Sequence, residues 1–230
     1  MKYQGGKHRI AKDILQIIFA ERKPGQWFVE PFCGGCDVTA KVDGPRIAGD
    51  SRRALIVFWR QIAEGWQPEL VKSKRAYDAL KAGGGELAQQ AWAAVGASYS
   101  GKWFGGFVGY GKHRNGRDYQ KEAFAAATRK KESLADVTFY ALSYDLLPLP
   151  PQSVIYCDPP YAGTTDYGAA FDSESFYDWC RDKAKEGHTV FVSEYSAPAD
   201  FVCVWEKPVT SSLNGHRAHK PAVEKLFKVM

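Results

Sequence analysis

The chain has 230 residues, of which 45% are hydrophobic and 25% charged, and its net charge is +5. These proportions are typical of a globular protein and exclude a disordered or low-complexity chain. No apolar run approaches the roughly 18 residues of a membrane-spanning helix, and the N-terminus lacks the apolar region of a signal peptide. We therefore expect a soluble, cytoplasmic protein without membrane contact.

The predicted elements alternate between strands and helices. Helices are predicted over 7–22, where Ile10, Ile14 and Ile17 recur at helical spacing, and over 52–64. Short strands are predicted over 26–30, 46–50, 137–142, 153–157, 189–193, 201–205 and 223–229. This alternation indicates an α/β fold with a mostly parallel sheet, into which a mainly helical lobe is inserted between the second and third strands.

Residues 102–131 within that lobe are strongly basic. They contain five lysines and three arginines against two acids, and the aromatic side chains of Trp103, Phe104, Phe107, Tyr110 and Tyr119 lie among the glycines of this stretch. Basic residues interleaved with aromatics are typical of a surface that contacts phosphates and stacks on bases. A solvated loop with a few core aromatics is the alternative, and charge alone does not decide between them. Asn115-Gly116, between Arg114 and Arg117, predicts a tight turn.

The most informative segment is the apolar strand that ends in Asp158-Pro159-Pro160-Tyr161. Open α/β sheets bind ligands at the carboxyl ends of their strands. Two prolines fix the backbone there and remove two N–H donors. A carboxylate, the Pro159 carbonyl and an aromatic face remain, and together they suit a planar heterocycle that carries an amino group. A proline-rich turn after a core strand is the structural alternative.

A second segment, from Phe28 to Gly35, predicts a strand that enters a glycine turn, where a ligand can approach the backbone closely. Asp50 ends the next strand, and an acid in that place can accept the two hydroxyls of a ribose. The full motifs for dinucleotides and for triphosphates are absent, which favours a nucleoside without a phosphate chain. The five cysteines include a Cys33-x-x-Cys36 pair but no second ligand pair, so we expect reduced thiols and no metal site.

Three separated segments match the motifs of one enzyme family in the family's order. They are Tyr3-Gln4-Gly5-Gly6-Lys7, Val29-Glu30-Pro31-Phe32-Cys33-Gly34-Gly35 and Asp158-Pro159-Pro160-Tyr161. On these segments the sequence resembles the Dam-type (D12 class, alpha group) DNA N6-adenine methyltransferases. Weaker similarities lie at 49–50, 107–111, 143–146 and 192–195, and the inserted lobe departs most from the family pattern.

The resemblance implies a Rossmann-like, S-adenosylmethionine-dependent methyltransferase sheet, with residues 1–55 and 137–230 as the catalytic core and 56–136 as an inserted target-recognition lobe. The implied cofactor-binding residues are Tyr3, Lys7, Glu30, Pro31, Phe32, Gly34, Gly35, Asp50, Asp145, Leu146 and Asp158. The implied catalytic residues are Asp158, Pro159, Pro160 and Tyr161. The candidate DNA-binding residues of the lobe are Lys112, Arg114, Asn115 and Arg117.

The activity that the resemblance implies is methyl transfer from S-adenosylmethionine to N6 of an adenine flipped out of a short sequence in double-stranded DNA. No metal is required, and we expect a monomer, with or without a partner restriction endonuclease. The recognition sequence cannot be carried over from the family, and neither a chromosomal nor a phage or mobile-element origin is favoured.

Three other functions compete with this interpretation. The first is methylation of cytosine N4 or of RNA adenine, which product analysis distinguishes. The second is a catalytically silent nucleic-acid-binding relative. It predicts that the catalytic or the cofactor motif is broken, whereas both of these motifs are intact. The third is a redox protein that uses the Cys33-x-x-Cys36 pair, which predicts thiol reactivity that is lost when Cys33 is replaced.

Overall fold

The computed structural model describes residues 1–161, 171–209 and 222–230, which form a mixed α/β structure around a seven-stranded sheet. The strands are β1 (Phe28–Glu30), β2 (Arg46–Gly49), β3 (Val137–Tyr140), β4 (Val154–Cys157), β5 (Thr189–Glu194), β6 (Phe201–Val209) and β7 (Ala222–Val229). The α-helices are α1 (Ala11–Glu21), α2 (Arg53–Glu64), α3 (Lys74–Lys81), α4 (Leu87–Val95), α5 (Tyr119–Thr128), α6 (Lys131–Leu134) and α7 (Ser173–Lys185). None of the helices within these described ranges has the length and apolar character needed to cross a membrane.

The strand order is β3-β2-β1-β4-β5-β7-β6. The pairs among the first five strands are parallel, and β7 runs antiparallel to both of its neighbours. This sheet confirms the predicted α/β, Rossmann-like fold class. The chain moves outward from β1 to β3 and then returns to place β4 beside β1, so the order reverses between β1 and β4. Ligand sites of open α/β sheets lie at such a reversal, outside the carboxyl ends of the strands.

All seven predicted strands are present, with shifts of a few residues at their ends. The first helix begins at Ala11 rather than at residue 7, because residues 7–10 form a turn in which Ile10 and Ala11 both donate to the Lys7 carbonyl. Helix α7, which the sequence analysis did not predict, begins after Asp172, whose side chain accepts a hydrogen bond from the Ser175 N–H. This is an ordinary helix N-cap.

Helices α2 to α6 lie between β2 and β3 along the chain. They pack around one apolar cluster in which Phe58 and Trp59 of α2 are buried together with Tyr77 of α3 and Trp92 of α4. Helix α2 belongs to both parts of the molecule, because it follows β2 directly and packs against α4. The predicted domain boundary after residue 55 therefore falls inside a continuous helix.

Candidate active site

A cavity of about 560 Å³ lies at the carboxyl ends of β1, β2 and β4. That volume suits a ligand of nucleoside size. The predicted site residues that line it are Tyr3, Lys7, Glu30, Pro31, Phe32, Gly34, Gly35, Asp50, Asp158, Pro159, Pro160 and Tyr161. The fold thus brings together three segments that are far apart along the chain.

The turn after β1 depends on glycine at Gly34. Its φ is +42°, and a Cβ built there would lie 2.9 Å from the aromatic ring of Tyr3. No side chain fits between the turn and that ring, so the peptide backbone itself forms this part of the cavity wall. The Gly34 carbonyl accepts a hydrogen bond of 2.8 Å from the Trp59 indole, which ties the turn to α2.

Two further contacts hold the same turn from the helical region. The ammonium of Lys130 donates to the Gly35 carbonyl at 2.5 Å and pairs with the Asp37 carboxylate at 2.6 Å. Both side chains are largely buried, at 13% and 7% exposure, so this ion pair is shielded from solvent. The glycine turn is therefore held by two residues that both follow β2 along the chain, Trp59 and Lys130.

The acid that ends β1, Glu30, is buried and faces the cavity. Its Oε2 accepts hydrogen bonds from both the N–H and the hydroxyl of Thr39, the former at 2.8 Å. Burial outweighs these bonds and raises the pKa of Glu30 to about 8. This carboxyl is consequently protonated in much of the folded protein at neutral pH.

Asp50, directly after β2, joins two parts of the cavity wall. Its Oδ2 accepts from the Gly34 N–H at 3.2 Å, and its Oδ1 accepts from the Arg52 N–H at 2.9 Å. Burial raises its pKa, and these two bonds partly offset the rise. Because each carboxylate oxygen has two lone pairs, Asp50 keeps acceptor capacity toward the cavity.

Asp158, after β4, forms an ion pair with Lys7. The Lys7 Nζ lies 2.9 Å from Oδ1, and the two side chains are 6% and 17% exposed. Burial raises the pKa of Asp158 to about 6, and the charge of Lys7 opposes this rise. Burial also acts to lower the pKa of Lys7, but Asp158 and Glu224 outweigh it, so the net shift is upward. At neutral pH the site therefore contains an ionised Asp158 beside a charged Lys7.

Tyr161 completes this cluster with two residues that the sequence analysis did not assign to the site. Its hydroxyl donates to the Glu224 carboxylate at 2.7 Å, and its ring meets that of Tyr195 edge-on at 4.7 Å. The Lys7 ammonium lies 4.6 Å from the centre of the Tyr161 ring and 3.6 Å from Glu224. Tyr195 ends the weakly matching 192–195 segment, whereas no motif pointed to Glu224.

The opposite wall of the cavity is aromatic. Phe32 stacks on Tyr144 with ring centroids 5.4 Å apart and meets Phe171 edge-on at 5.8 Å. The predicted contacts of Asp145 and Leu146 are wrong: both side chains are exposed, and Ser143 and Tyr144 line the cavity instead. The segment is a 3₁₀ turn, in which successive side chains point about 120° apart, so an inward Tyr144 directs the next two outward.

The four candidate DNA-binding residues lie on the surface, away from the cavity wall. The predicted tight turn is confirmed, because the His113 N–H donates to the Arg117 carbonyl at 2.8 Å and Gly116 has a φ of +76°. Arg117 donates to Glu122 at 2.9 Å and stacks on Tyr119, whose hydroxyl accepts from Asn115 at 2.7 Å. Asn115 and Arg117 thus hold the turn together, while the Lys112 and Arg114 side chains are exposed.

Cys33 and Cys36 belong to the glycine turn. Both are buried, and the Cys36 N–H donates to the Cys33 carbonyl at 2.6 Å. Within the ranges that the structure describes, no three His, Cys, Asp or Glu side chains come together in a way that could hold a metal ion.

The donor set of the cavity fits S-adenosylmethionine. A flat base can pack against the Phe32–Tyr144 wall, and Gly34 and Gly35 line the cavity without side chains of their own. Ribose hydroxyls need an acceptor such as Asp50, and a ligand that carries a sulfonium and an ammonium group is suited to a cavity with several carboxyl groups.

One comparison with known proteins, the match to a family model, agrees with the motifs. Residues 3–86 match the family model "D12 class N6 adenine-specific DNA methyltransferase", which confirms the family resemblance over that segment. Among the curated proteins none matches. Thirty-two chains among solved structures match, one being the crystal structure of SMU.472, a protein described as a methyltransferase complexed with SAH. The similarity to it is weak, with 14% identity and a TM-score of 0.38 over 97% of this chain, which spans about half (52%) of that protein.

Proposed function

We propose that this chain is a D12 class N6 adenine-specific DNA methyltransferase, the family whose model residues 3–86 match, and that it methylates N6 of an adenine in a short sequence of double-stranded DNA. The observation that carries the proposal is the convergence of the family-matched N-terminal segment and the Asp158–Tyr161 motif on one cavity. S-adenosylmethionine, when bound there, supplies a methyl group on a positively charged sulfur. The remaining chemistry belongs to the residues of this chain.

Asp158 accepts a hydrogen bond from the adenine amino group. The N6 lone pair is delocalised into the ring, and a carboxylate that accepts an N6–H helps to localise it and stabilises the positive charge that develops on nitrogen. Because the pKa of Asp158 is about 6, the acceptor is ionised at neutral pH. Lys7 occupies one position on Oδ1, and a carboxylate has about four lone-pair sites, so capacity remains for N6–H.

Pro159 supplies the second acceptor through its backbone carbonyl. The next nitrogen belongs to Pro160, which has no N–H that could compete near this carbonyl. With one acceptor for each of its two hydrogens, the amino group is fixed in orientation. Fixing the nucleophile in line with its target converts a bimolecular collision into an oriented transfer, which lowers the entropic part of the barrier.

Tyr161 provides the surface on which the extruded adenine stacks. Inside a duplex the N6 atom is out of reach of a buried carboxylate, so the base has to leave the helix. The Tyr161 ring forms part of the cavity wall beside Asp158 and is held at its hydroxyl end. Its face can therefore replace part of the stacking that the base loses on leaving the duplex.

For the cofactor, we propose that Tyr3, the 30–35 turn and Asp50 hold the adenosine moiety, with Phe32 and Tyr144 against the base. We keep residues 56–136 as the target-recognition lobe and Lys112 and Arg114 as its phosphate contacts. Charge supports this assignment, because the surplus of basic side chains at 102–131 exceeds the net charge of the whole chain. As further parts of the proposal, the protein acts as a monomer and a partner restriction endonuclease is not required.

The test is methyl transfer by the purified protein from methyl-labelled S-adenosylmethionine to DNA that carries no adenine methylation. Digestion of the product to nucleosides and mass spectrometry distinguish N6-methyladenine from N4-methylcytosine, and a parallel reaction on RNA tests the other alternative. We expect labelled N6-methyladenine from DNA only.

Three variants accompany the wild type. Asp158→Ala and the nearly isosteric Asp158→Asn should lose transfer by at least about 100-fold while retaining cofactor binding by calorimetry, since both lack the charged acceptor. Asp182→Ala, which removes a carboxylate of 63% exposure on the surface of α7, is the matched control and should be as active as the wild type. Near-normal transfer by Asp158→Asn would contradict the assigned role.

A further inference from the structure

Strand β7 carries an acid to the active site from the far end of the chain. Because β7 runs antiparallel to its neighbours, its first residues lie at the edge where the parallel strands end. Leu226 packs into the apolar cluster that includes Ile14 of α1. Side chains alternate along a strand with period two, so Glu224 faces the same side as Leu226, toward the segment that precedes α1 and contains Lys7.

Glu224 contacts two of the site residues at once. Its Oε2 accepts the Tyr161 hydroxyl at 2.7 Å and lies 3.6 Å from the Lys7 ammonium, and its side chain is only 13% exposed. Lys7 in turn is 2.9 Å from Asp158 and 4.6 Å from the centre of the Tyr161 ring. One lysine therefore lies between two carboxylates and against the face of the tyrosine.

A second carboxylate beside Asp158 and Lys7 is energetically unfavourable. Burying a charge is unfavourable unless it is paired and hydrogen-bonded, and a second anion competes with Asp158 for Lys7. A neutral residue at position 224 would avoid this cost. A tyrosine ring, however, can turn about its side-chain bonds, and a hydrogen bond to an ionised acceptor is about twice as strong as one between neutral groups. Glu224 fixes the hydroxyl end of the ring whose face lines the cavity.

We infer that Glu224 is a positioning residue for methyl transfer: it fixes the ring of Tyr161 as the platform for the extruded base. The inference rests on the proposed function and deepens it. Glu224 does not touch the reacting atoms. It acts through the tyrosine hydroxyl, so its loss and the loss of that hydroxyl should have the same consequence.

A double-mutant cycle in the full-length protein tests this. Tyr161→Phe deletes only the hydroxyl, Glu224→Leu deletes only its acceptor, and the double variant deletes both. Each single variant should lower kcat for DNA methylation about tenfold, with the KM for S-adenosylmethionine within about twofold of the wild type. The double variant should also be down about tenfold rather than about 100-fold, because the hydrogen bond between Tyr161 and Glu224 is lost in all three.

Glu224→Gln provides the conservative comparison, because its amide oxygen can still accept the tyrosine hydroxyl, and it should recover at least half of the loss seen with leucine. The matched control is Glu206→Gln, an exposed acid one strand away on β6, which should leave kcat unchanged. Thermal unfolding of each variant verifies that the fold is retained.

The outcomes separate the two proposals. If the wild type methylates DNA adenine but the losses are additive, or if Glu224→Leu is fully active, the positioning role is overturned and the proposed function stands. If Glu224→Leu does not fold, Glu224→Ala replaces it in the cycle, and additivity between Glu224→Ala and Tyr161→Phe overturns the role in the same way. If the folded wild type methylates no DNA, the proposed function fails and takes the inference with it.

Discussion

The ion pair between Lys7 and Asp158 sets the protonation state of the proposed acceptor, and replacing Lys7 by Gln should move the pH range of activity. Removing one partner of a buried pair costs about 3–5 kcal/mol, whereas a shift of one pH unit requires only about 1.4 kcal/mol. Burial raises the pKa of Asp158 and Lys7 lowers it, so loss of Lys7 raises it further above its value of about 6. Glu224, also facing Asp158, acts in the same direction as burial.

The assay is kcat/KM for DNA methylation between pH 5.5 and 9 for the wild type and Lys7→Gln. The acidic limb of the variant should lie at least one pH unit higher, so its defect is greatest near pH 6 and smallest near pH 8.5, where Asp158 ionises without help. Lys74→Gln is the control, because Lys74 forms an even shorter ion pair of 2.6 Å with Asp78 but is 74% exposed. A defect of Lys7→Gln that is the same at every pH would refute the reasoning.

Three other changes test separate parts of the account. Gly34→Ala should lower the free energy of unfolding by about 1–2 kcal/mol or more and should also weaken cofactor binding, measured by calorimetry. Gly25→Ala, at a positive φ with open space around it, should lower stability only, and equal cofactor affinity in the two variants would be inconsistent with the turn as a binding surface. Arg114→Ala should reduce the slope of log K for DNA binding against log salt concentration by about 1. Arg117→Ala should reduce it by less, because the Arg117 guanidinium is already paired with Glu122; the reverse order would make Arg117 the phosphate contact. Burial raises the pKa of Glu30 from 4.5 to about 8, so between these pH values the folded chain keeps a proton that the unfolded chain releases, and the free energy of unfolding falls as pH rises. Glu30→Gln should reduce this slope by up to about 1.4 kcal/mol per pH unit, measured by urea unfolding, and an unchanged slope would contradict the prediction.

The strands and the main cavity residues could be predicted because their signals are local. Apolar runs such as 154–157 mark buried parallel strands, and an acid at the end of a strand is carried to the same edge as other strand ends. Asp50 and Asp158 meet for that reason, although more than 100 residues separate them. The glycine turn after β1 could also be predicted from the sequence, because position 34 needs a residue without a side chain.

What the sequence did not reveal depends on tertiary arrangement. Glu224 reaches the site only because β7 runs antiparallel to its neighbours, and the direction of a strand in a sheet cannot be predicted from the residues of that strand alone. The error at Asp145 and Leu146 arose from treating a 3₁₀ turn as a contact motif, since which of its side chains faces inward is decided by packing on Phe32. Arg117 looked like a free cation in sequence, and only the folded turn shows its pairing with Glu122.

The contacts of the glycine turn indicate how DNA binding and cofactor binding can share one scaffold. Trp59 of α2 and Lys130, next to α6, both hold carbonyl groups of this turn. These two helices pack in the same apolar cluster as the rest of the inserted segment. The lobe that we propose to recognise DNA is therefore part of the support for the cofactor site, and the two are joined through buried contacts.

The most direct test of the central claim is expression of the chain in a host that lacks adenine methylation, followed by mapping of modified bases across the genome by single-molecule sequencing. The account predicts N6-methyladenine at a fixed short motif in cells that express the wild type, and none in cells that express Asp158→Ala. Modified adenine in the Asp158→Ala cells, or none in cells that contain the folded wild-type protein, would contradict it.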